Sequence, residues 1–276
     1  MFKNEMQKIA DASEKKIEYM TKSPVGYLIL SALAGIYLGF GITLIFSIGG
    51  PIANAGGEAY LKLIMGTSFG IALSLVIFAG SELFSGNNMI FVISRLAKRV
   101  GVGPIITLFV MCFIGNFIGS AFLGWLVVEA GSLTEASQAL VLKVAAGKMA
   151  LGAKEAFLRG ILCNWLVCLA VWLSLRMQSE TAKLIMIFWC LFAFIGSGFE
   201  HSIANQSLLS MAMFLPHGAE ISLAGFIHNQ IFVTLGNLVG GGAFVGLVYW
   251  LATPSLRMEA GALLQDEAPE REASVQ

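Results

Sequence analysis

The chain alternates long apolar segments with short polar ones. A membrane-spanning helix needs about 20 mostly apolar residues, and six segments meet that requirement. They lie near residues 25–48, 60–97, 104–128, 156–176, 184–215 and 225–252. The pattern predicts an all-α integral membrane protein with six transmembrane helices. Composition agrees, because only 12% of the 276 residues are charged, against roughly 25% in soluble domains.

The second and fifth segments are longer than one crossing requires, and each is interrupted. The interruptions read "GSELFSGNN" at residues 80–88 and "GSGFEHSIAN" at residues 196–205. Both combine glycines, a hydroxyl residue and a carboxylate, which are poor helix formers. Irregular backbone at membrane depth is tolerated only where it is buried in protein or lines a cavity. We therefore expect helices 2 and 5 to be broken and their breaks to face one polar site.

The two halves of the chain also look duplicated. "IGNFIG" at 114–119 recurs as "LGNLVG" at 235–240, so that Asn116 and Asn237 lie 121 residues apart. The break glutamates, Glu82 and Glu200, lie 118 residues apart. Each half has three spans, an odd number, so repeats over 25–128 and 156–252 must be inverted relative to each other. Such repeats place a site at the midplane, where the N-termini of half-helices favour anions.

Basic residues predict the topology. Formal net charge is zero, which does not suggest a nucleic-acid partner. Twelve basic residues fall on the side of the termini and five on the other, so the positive-inside rule makes both termini cytoplasmic. The domains predicted are a cytoplasmic amphipathic N-terminal segment over 1–24, a pore domain over 25–252 and a disordered cytoplasmic tail over 253–276.

Four of the five outer basic residues lie in one segment, 143–159. One interpretation is an ordinary solvated loop before the fourth span. The other is a vestibule whose positive potential concentrates anions. The sequence by itself leaves both open.

Enzymatic chemistry is not indicated. Glu200 and His201 are adjacent and do not have the spacing of a zinc-binding HExxH helix. The four cysteines all lie in apolar segments without a CxxC pair, as small buried hydrophobic residues do. We expect no cofactor and no metal.

Four motifs together resemble the formate/nitrite transporter family, most closely its nitrite-channel branch: "GSELFSG", "LCNWLVCLAVW", "GFEHSIAN" and "TLGNLVGG". The resemblance covers roughly residues 20–253. It implies an aquaporin-like protomer in a homopentamer of the bacterial inner membrane, with one pore per protomer. It also implies small monovalent anions as substrates, nitrite first and formate or hydrosulfide next.

The same resemblance implies the site residues. The pore residues are expected to be Ser85, Lys148, Asn164, Glu200, His201 and Asn237. Asn164 and Asn237 are expected to donate hydrogen bonds to the anion, whereas Glu200 is expected to point away from the pore and hold the broken backbone. Those expected at the apolar constrictions are Phe69 and Phe194 on the outer side and Leu73, Leu83 and Val167 on the inner side. Ser85 stands where the family usually has threonine, and the residues after it differ from the formate-type loop, which favours nitrite.

These residues suggest a mechanism. An imidazole can donate a hydrogen bond to an anion or release a proton near neutral pH. A bare anion between apolar constrictions has a large desolvation cost, so protonation assisted by His201 would let it pass as the neutral weak acid. A proton-coupled secondary carrier of formate or another small weak acid is the alternative function.

Overall fold

A computed structural model describes residues 2–254, and every regular element in that range is helical. The predicted tail over 253–276 lies outside the described residues, apart from its first two positions. Six helices in this range are long and apolar enough to cross a membrane: Pro24–Asn54, Glu58–Phe78, Val102–Glu129, Ala153–Arg176, Glu180–Ser197 and Leu223–Leu251. The predicted six-span, all-α architecture is confirmed.

The α-helices of the described range include further elements besides these six spans. They are α1 (Lys3–Lys22), α2 (Pro24–Asn54), α3 (Leu61–Ser68), α4 (Ile71–Phe78), α5 (Phe84–Leu96), α6 (Val102–Glu129), α7 (Glu135–Met149), α8 (Ala153–Arg176), α9 (Glu180–Ser197), α10 (Ser202–Phe214), α11 (Leu223–Gly241) and α12 (Val248–Leu251). A π-helical turn, Gly242–Leu247, joins α11 to α12.

The second and fifth spans are both broken. Residues 79–83 separate α4 from α5, and residues 198–201 separate α9 from α10. Each break contains a glycine with positive φ, Gly80 at 78° and Gly198 at 73°. This left-handed conformation, which glycine adopts without a steric penalty, ends the helix and turns the chain. Each break is then followed by a half-helix of 13 residues.

One helix was not expected. The sequence interpretation treated the segment before the fourth span as a loop, but α7 occupies Glu135–Met149 there. Thr134 caps it, since its side chain accepts the N–H of Ser137 at 3.2 Å. Helix α7 is too short and too polar to cross a membrane, which is why hydropathy alone missed it. It packs against α2 and α10, and it carries Lys148.

The N-terminal helix α1 packs on the protein. Its own residues Met6, Ile9 and Met20 are buried, and it contacts α2, α5, α6 and α8. Arg99, in the turn after α5, donates to Glu14 at 2.6 Å and to Asp11 at 3.0 Å. The hydrogen bond to Glu14 is the main cause that raises the pKa of Arg99 above its ordinary value. The arginine therefore anchors α1 as a permanent cation.

Helix pairing is alike in the two halves. Helix α2 packs along α6 in the first half, and α8 packs along α11 in the second. Asn116 lies on α6 and Asn237 lies on α11, and both are fully buried. Each helix pair thus brings one asparagine to the break of its own half.

Candidate functional site

The two half-helices meet at a single hydrogen bond between side chains. Ser85 lies in the first turn of α5, and His201 is the residue that precedes α10. Their Oγ and Nε2 atoms are 2.7 Å apart, and both residues are buried. Two helix N-termini, each carrying a partial positive charge, therefore converge on one point. Ser85 and His201 are both among the predicted site residues, and the fold brings them together.

The backbone determines which nitrogen of His201 carries the proton. His201 caps α10, because its Nδ1 accepts the N–H of Ala204 at 3.1 Å. An acceptor nitrogen has no proton, so the neutral ring is protonated on Nε2. Nε2–H is then the group that faces Ser85 and could face an anion. Adding a second proton at Nδ1 would break the cap.

Asn116 and Asn237 brace the two breaks in the same way. The Oδ1 of Asn116 accepts the first N–H of α5, from Phe84, at 2.9 Å, and its Nδ2 donates to Ser31 and Glu82 carbonyls at 2.7 and 2.8 Å. The Oδ1 of Asn237 accepts the first N–H of α10, from Ser202, at 2.9 Å. Its Nδ2 donates to carbonyls of Gly160 at 2.8 Å and Glu200 at 3.0 Å. The bonds from Phe84 and Ser202 satisfy N–H groups that the start of a helix leaves unpaired, and the bonds to Ser31 and Gly160 tie each asparagine to α2 or α8.

This geometry differs from the expectation that Asn164 and Asn237 donate to the anion. Both N–H groups of Asn237 are used on backbone carbonyls. The Nδ2 of Asn164 likewise donates to the carbonyls of Asn237 at 2.7 Å and of Ser85 at 3.2 Å. In this conformation both amides hold the backbone of the site rather than face the pore.

All five predicted constriction residues line one narrow cavity beside His201. It measures about 10 Å³ and is bounded by Leu38, Phe69, Leu73, Leu83, Val167, Leu191, Phe194 and His201. The rings of Phe69 and Phe194 pack edge to face with centroids 5.7 Å apart, and Phe194 also stacks on His201 at 5.9 Å. A cavity this small has room for about one water molecule, so side chains must move for an anion to pass.

A larger cavity opens on one side of the constriction. We call it the Lys148 vestibule; it measures about 450 Å³ and reaches Phe194 and His201. Its lining includes three cations, Lys62, Lys148 and Arg159, and one carboxylate, Glu200. The Nζ of Lys148 donates to Glu200 Oε1 at 2.7 Å. Because the Lys148 side chain is 20% exposed and that of Glu200 only 4%, the positive end of the pair faces the cavity.

A second cavity opens on the other side and was missed by sequence reasoning. This Lys16 vestibule measures about 360 Å³ and reaches Leu73 and Leu83. Lys16 of α1 donates to Glu82 Oε1 at 2.5 Å, so each break glutamate is paired with a lysine. The constant separation between Glu82 and Glu200 could have predicted that both glutamates have the same role. The lysine that pairs with Glu82 could not have been found in this way, because Lys16 lies outside the repeats and has no equivalent in the second half.

The break asparagines repeat as well. Asn87 donates to Glu82 Oε2 at 3.3 Å, and Asn205 donates to Glu200 Oε2 at 2.6 Å. Two cavities therefore converge from opposite sides on a closed apolar centre that contains one histidine and two helix N-termini. That arrangement is what a path for a small anion requires.

Comparison with known proteins decides the family. The model of the formate/nitrite transporter family matches residues 3–251, which is nearly all of the described structure. This chain belongs to the formate/nitrite transporter family. It is 42% identical over 255 residues to the nitrite transporter NirC of Escherichia coli K12, covering 92% of this chain and 93% of that protein.

Solved structures agree with the formate/nitrite transporter assignment. An FNT family ion channel superposes with a TM-score of 0.87 at 40% identity, covering 92% of this chain and 100% of the other. A pentameric formate channel with formate bound gives 0.74 at 30% identity, covering 84% and 98%. The family consists of transporters and channels, so the prediction that the chain is not an enzyme is confirmed. Several membrane-spanning helices make it a multi-pass membrane protein.

Proposed function

We propose that the chain is a channel for small monovalent anions, with nitrite as the first substrate and formate and hydrosulfide as further ones. One observation carries the proposal: two vestibules converge on a narrow apolar constriction beside His201. Lys62, Lys148 and Arg159 line one of them, and Lys16, paired with Glu82, lines the other. The NirC relatives favour nitrite, and the pentameric formate channel favours an assembly of five copies with one path in each.

The anion reaches the centre in steps. The cations of the Lys148 vestibule raise the local anion concentration. By the positive-inside rule this vestibule faces outward and the Lys16 vestibule faces the cytoplasm. The N-termini of α5 and α10 then stabilise negative charge next to His201. Side chains of the constriction move aside to let the substrate pass.

At the centre, His201 acts through Nε2–H. The hydrogen-bond geometry supports the donor part of the sequence hypothesis more directly than the proton-release part. A neutral ring can donate Nε2–H to the anion in place of Ser85, without loss of the α10 cap. The proton that neutralises the anion, and so removes its desolvation cost between the apolar walls, comes from water in a vestibule, because a neutral ring that released Nε2–H would be left as an imidazolate. His201 assists by holding the anion at the centre while that proton arrives.

The alternative, a proton-coupled carrier, is favoured by one observation. The central cavity measures only about 10 Å³, too little for an anion, and a centre too narrow for its substrate is a property that carriers share with closed channels. Proteoliposomes containing the purified protein distinguish the two. Nitrite, formate, hydrosulfide and lactate flux would be measured under one pH gradient and over a wide concentration range.

Fast, poorly saturating flux with nitrite ahead of formate is the result expected for the proposed channel. Saturable flux strictly coupled to protons would establish the carrier instead. Formate clearly faster than nitrite would overturn the substrate order, and no flux of any of the four anions would overturn the function.

A further inference from the structure

Asn229, a residue that the sequence motifs do not single out, lies fully buried near the start of α11. Its Nδ2 donates to the backbone carbonyl of Lys148 at 3.0 Å. Its Oδ1 accepts from the Nδ2 of Asn205 at 2.9 Å. One side chain therefore links three helices: α7, which carries the vestibule lysine, α10 and α11.

These bonds belong to a closed ring. Beyond Asn229, the Nδ2 of Asn205 also donates to Glu200 Oε2 at 2.6 Å. The other oxygen of Glu200 accepts from the Nζ of Lys148 at 2.7 Å, which returns the ring to its starting residue. The backbone of Lys148 is held at one end and its ammonium group at the other. A long, flexible side chain is thus confined to one position at the vestibule.

The ring also completes a helix end. Lys148 is the penultimate residue of α7, and its carbonyl is one of the four that a helix leaves without an intrahelical partner. It accepts a long hydrogen bond from the N–H of Leu151 at 3.4 Å, and Asn229 supplies a second, shorter one from inside the protein at 3.0 Å. The end of α7 is therefore fixed relative to α10 and α11, and the lysine projects from a defined point.

The first half of the chain has no such brace. Counting back the 121 residues that separate Asn237 from Asn116, the position equivalent to Asn229 is Leu108, which is buried and has no polar side-chain atom. Lys16 reaches Glu82 from α1, a helix outside the repeats. The ring is thus a feature of the Lys148 vestibule and not a general requirement of the fold.

We propose that Asn229 is a positioning residue that holds the Lys148 ammonium at the mouth of the vestibule and so sets the rate of anion access. The inference rests on the proposed function, in which Lys148 attracts the anion. Its effect on flux is transmitted entirely through Lys148.

The test compares nitrite uptake into proteoliposomes, per folded assembly, at low and high ionic strength. Wild type, Asn229→Ala, Lys148→Ala and the double variant form a cycle. Asn229→Ala should lower uptake at low salt by about tenfold at most, within the range by which local charge changes association rates. The deficit should shrink as an inert salt is added, and the double variant should be no slower than Lys148→Ala. Asn229→Gln, which keeps the amide, should recover part of the uptake.

His228→Ala is the matched control. His228 lies next to Asn229 on α11. Its Nε2 is 2.9 Å from the carbonyl oxygen of Leu151, which lies between α7 and α8, but His228 is not part of the ring. It should keep wild-type uptake at both salt concentrations.

Two outcomes would overturn the inference in different ways. The loss of uptake in Asn229→Ala could be insensitive to salt, or the double variant could lose as much uptake as the two single variants combined. Either result would make Asn229 a structural residue only, with the function of Lys148 intact. If Asn229→Ala does not assemble, the same criteria apply to Asn229→Gln. No salt-sensitive deficit in Lys148→Ala itself would instead remove the proposed role of Lys148, and the positioning role with it.

Discussion

Leu83 and His201 occupy equivalent positions in the two broken spans. Each precedes a half-helix of 13 residues, and their backbone angles nearly coincide, with φ −106° and ψ 121° for Leu83 and φ −110° and ψ 117° for His201. They lie 118 residues apart, the same separation as Glu82 and Glu200. The duplicated scaffold thus presents an apolar side chain from one break and an imidazole from the other. The chemistry of the centre is asymmetric although the backbone is repeated.

His201→Asn tests the imidazole. Asparagine is a good helix N-cap, so α10 should keep its start and the protein should assemble. Losing a hydrogen bond to a charged species costs about 1.5–3 kcal/mol, so nitrite flux should fall roughly ten- to hundredfold. The pH dependence of flux and the selectivity among weak acids should also change. Unchanged pH dependence in an assembled variant would rule out a role for His201 in protonation.

Asn116→Ala and Asn237→Ala should destabilise the protein to a similar extent. Each leaves buried backbone groups unpaired, at about 1–3 kcal/mol per group. With about 2–4 °C per kcal/mol for a chain of this size, the melting temperature of the solubilised protein should fall by about 5 °C or more. A stable Asn237→Ala variant with lost flux would return Asn237 to the role of a pore donor.

Lys148→Ala should lower nitrite flux at low ionic strength, with a deficit that shrinks as inert salt is added, because mobile ions screen the vestibule charge. Lys148→Arg should be nearly neutral and Lys148→Glu the slowest. Lys154→Ala is the control, since that lysine is exposed on the neighbouring α8 and does not line the vestibule. Equal flux for wild type and Lys148→Glu at low salt would mean that the charge is irrelevant.

Phe194→Leu should loosen the constriction. It removes the ring that packs on both Phe69 and His201. Steric discrimination against one methylene is worth about 1–3 kcal/mol, so lactate flux relative to nitrite should rise about tenfold or more. Phe192→Leu, on the same helix but outside the constriction, should leave the ratio unchanged. A constant ratio in Phe194→Leu would show that discrimination lies elsewhere.

Arg99→Ala should release α1. The arginine bonds two carboxylates of that helix, and charge-assisted hydrogen bonds are the stronger kind. Amide exchange over Lys3–Lys22 should accelerate by about tenfold, the factor that corresponds to 1.4 kcal/mol. Because the pKa of Arg99 is raised, the arginine's contribution is complete below its ordinary pKa and is lost only as pH rises through the raised one; its charge does not vary near neutrality. Lys22→Ala, which removes an exposed pair with Glu18, should have little effect.

Much of this architecture follows from local sequence. Runs of about 20 apolar residues must form helices in a membrane, since every backbone group there has to be paired within its own segment. Two of these runs contain glycines close to a carboxylate, and such residues favour a break in the helix. Hydropathy gave no sign of α7, because a helix of 15 residues packed against the protein lacks the length that identifies a span.

The tertiary structure decided which polar atoms remain available. The amide of an asparagine in an apolar segment must form hydrogen bonds, but the sequence of the segment does not show which group it bonds. Asn164 and Asn237 could have faced the pore, and their bonds to backbone carbonyls depend on how closely α8, α11 and the second break approach one another. The same holds for Lys16, Asn205 and Asn229, which acquire roles only through residues distant in sequence. Sequence determined the spans, the breaks and the histidine, whereas long-range packing determined the braces and the position of the charges.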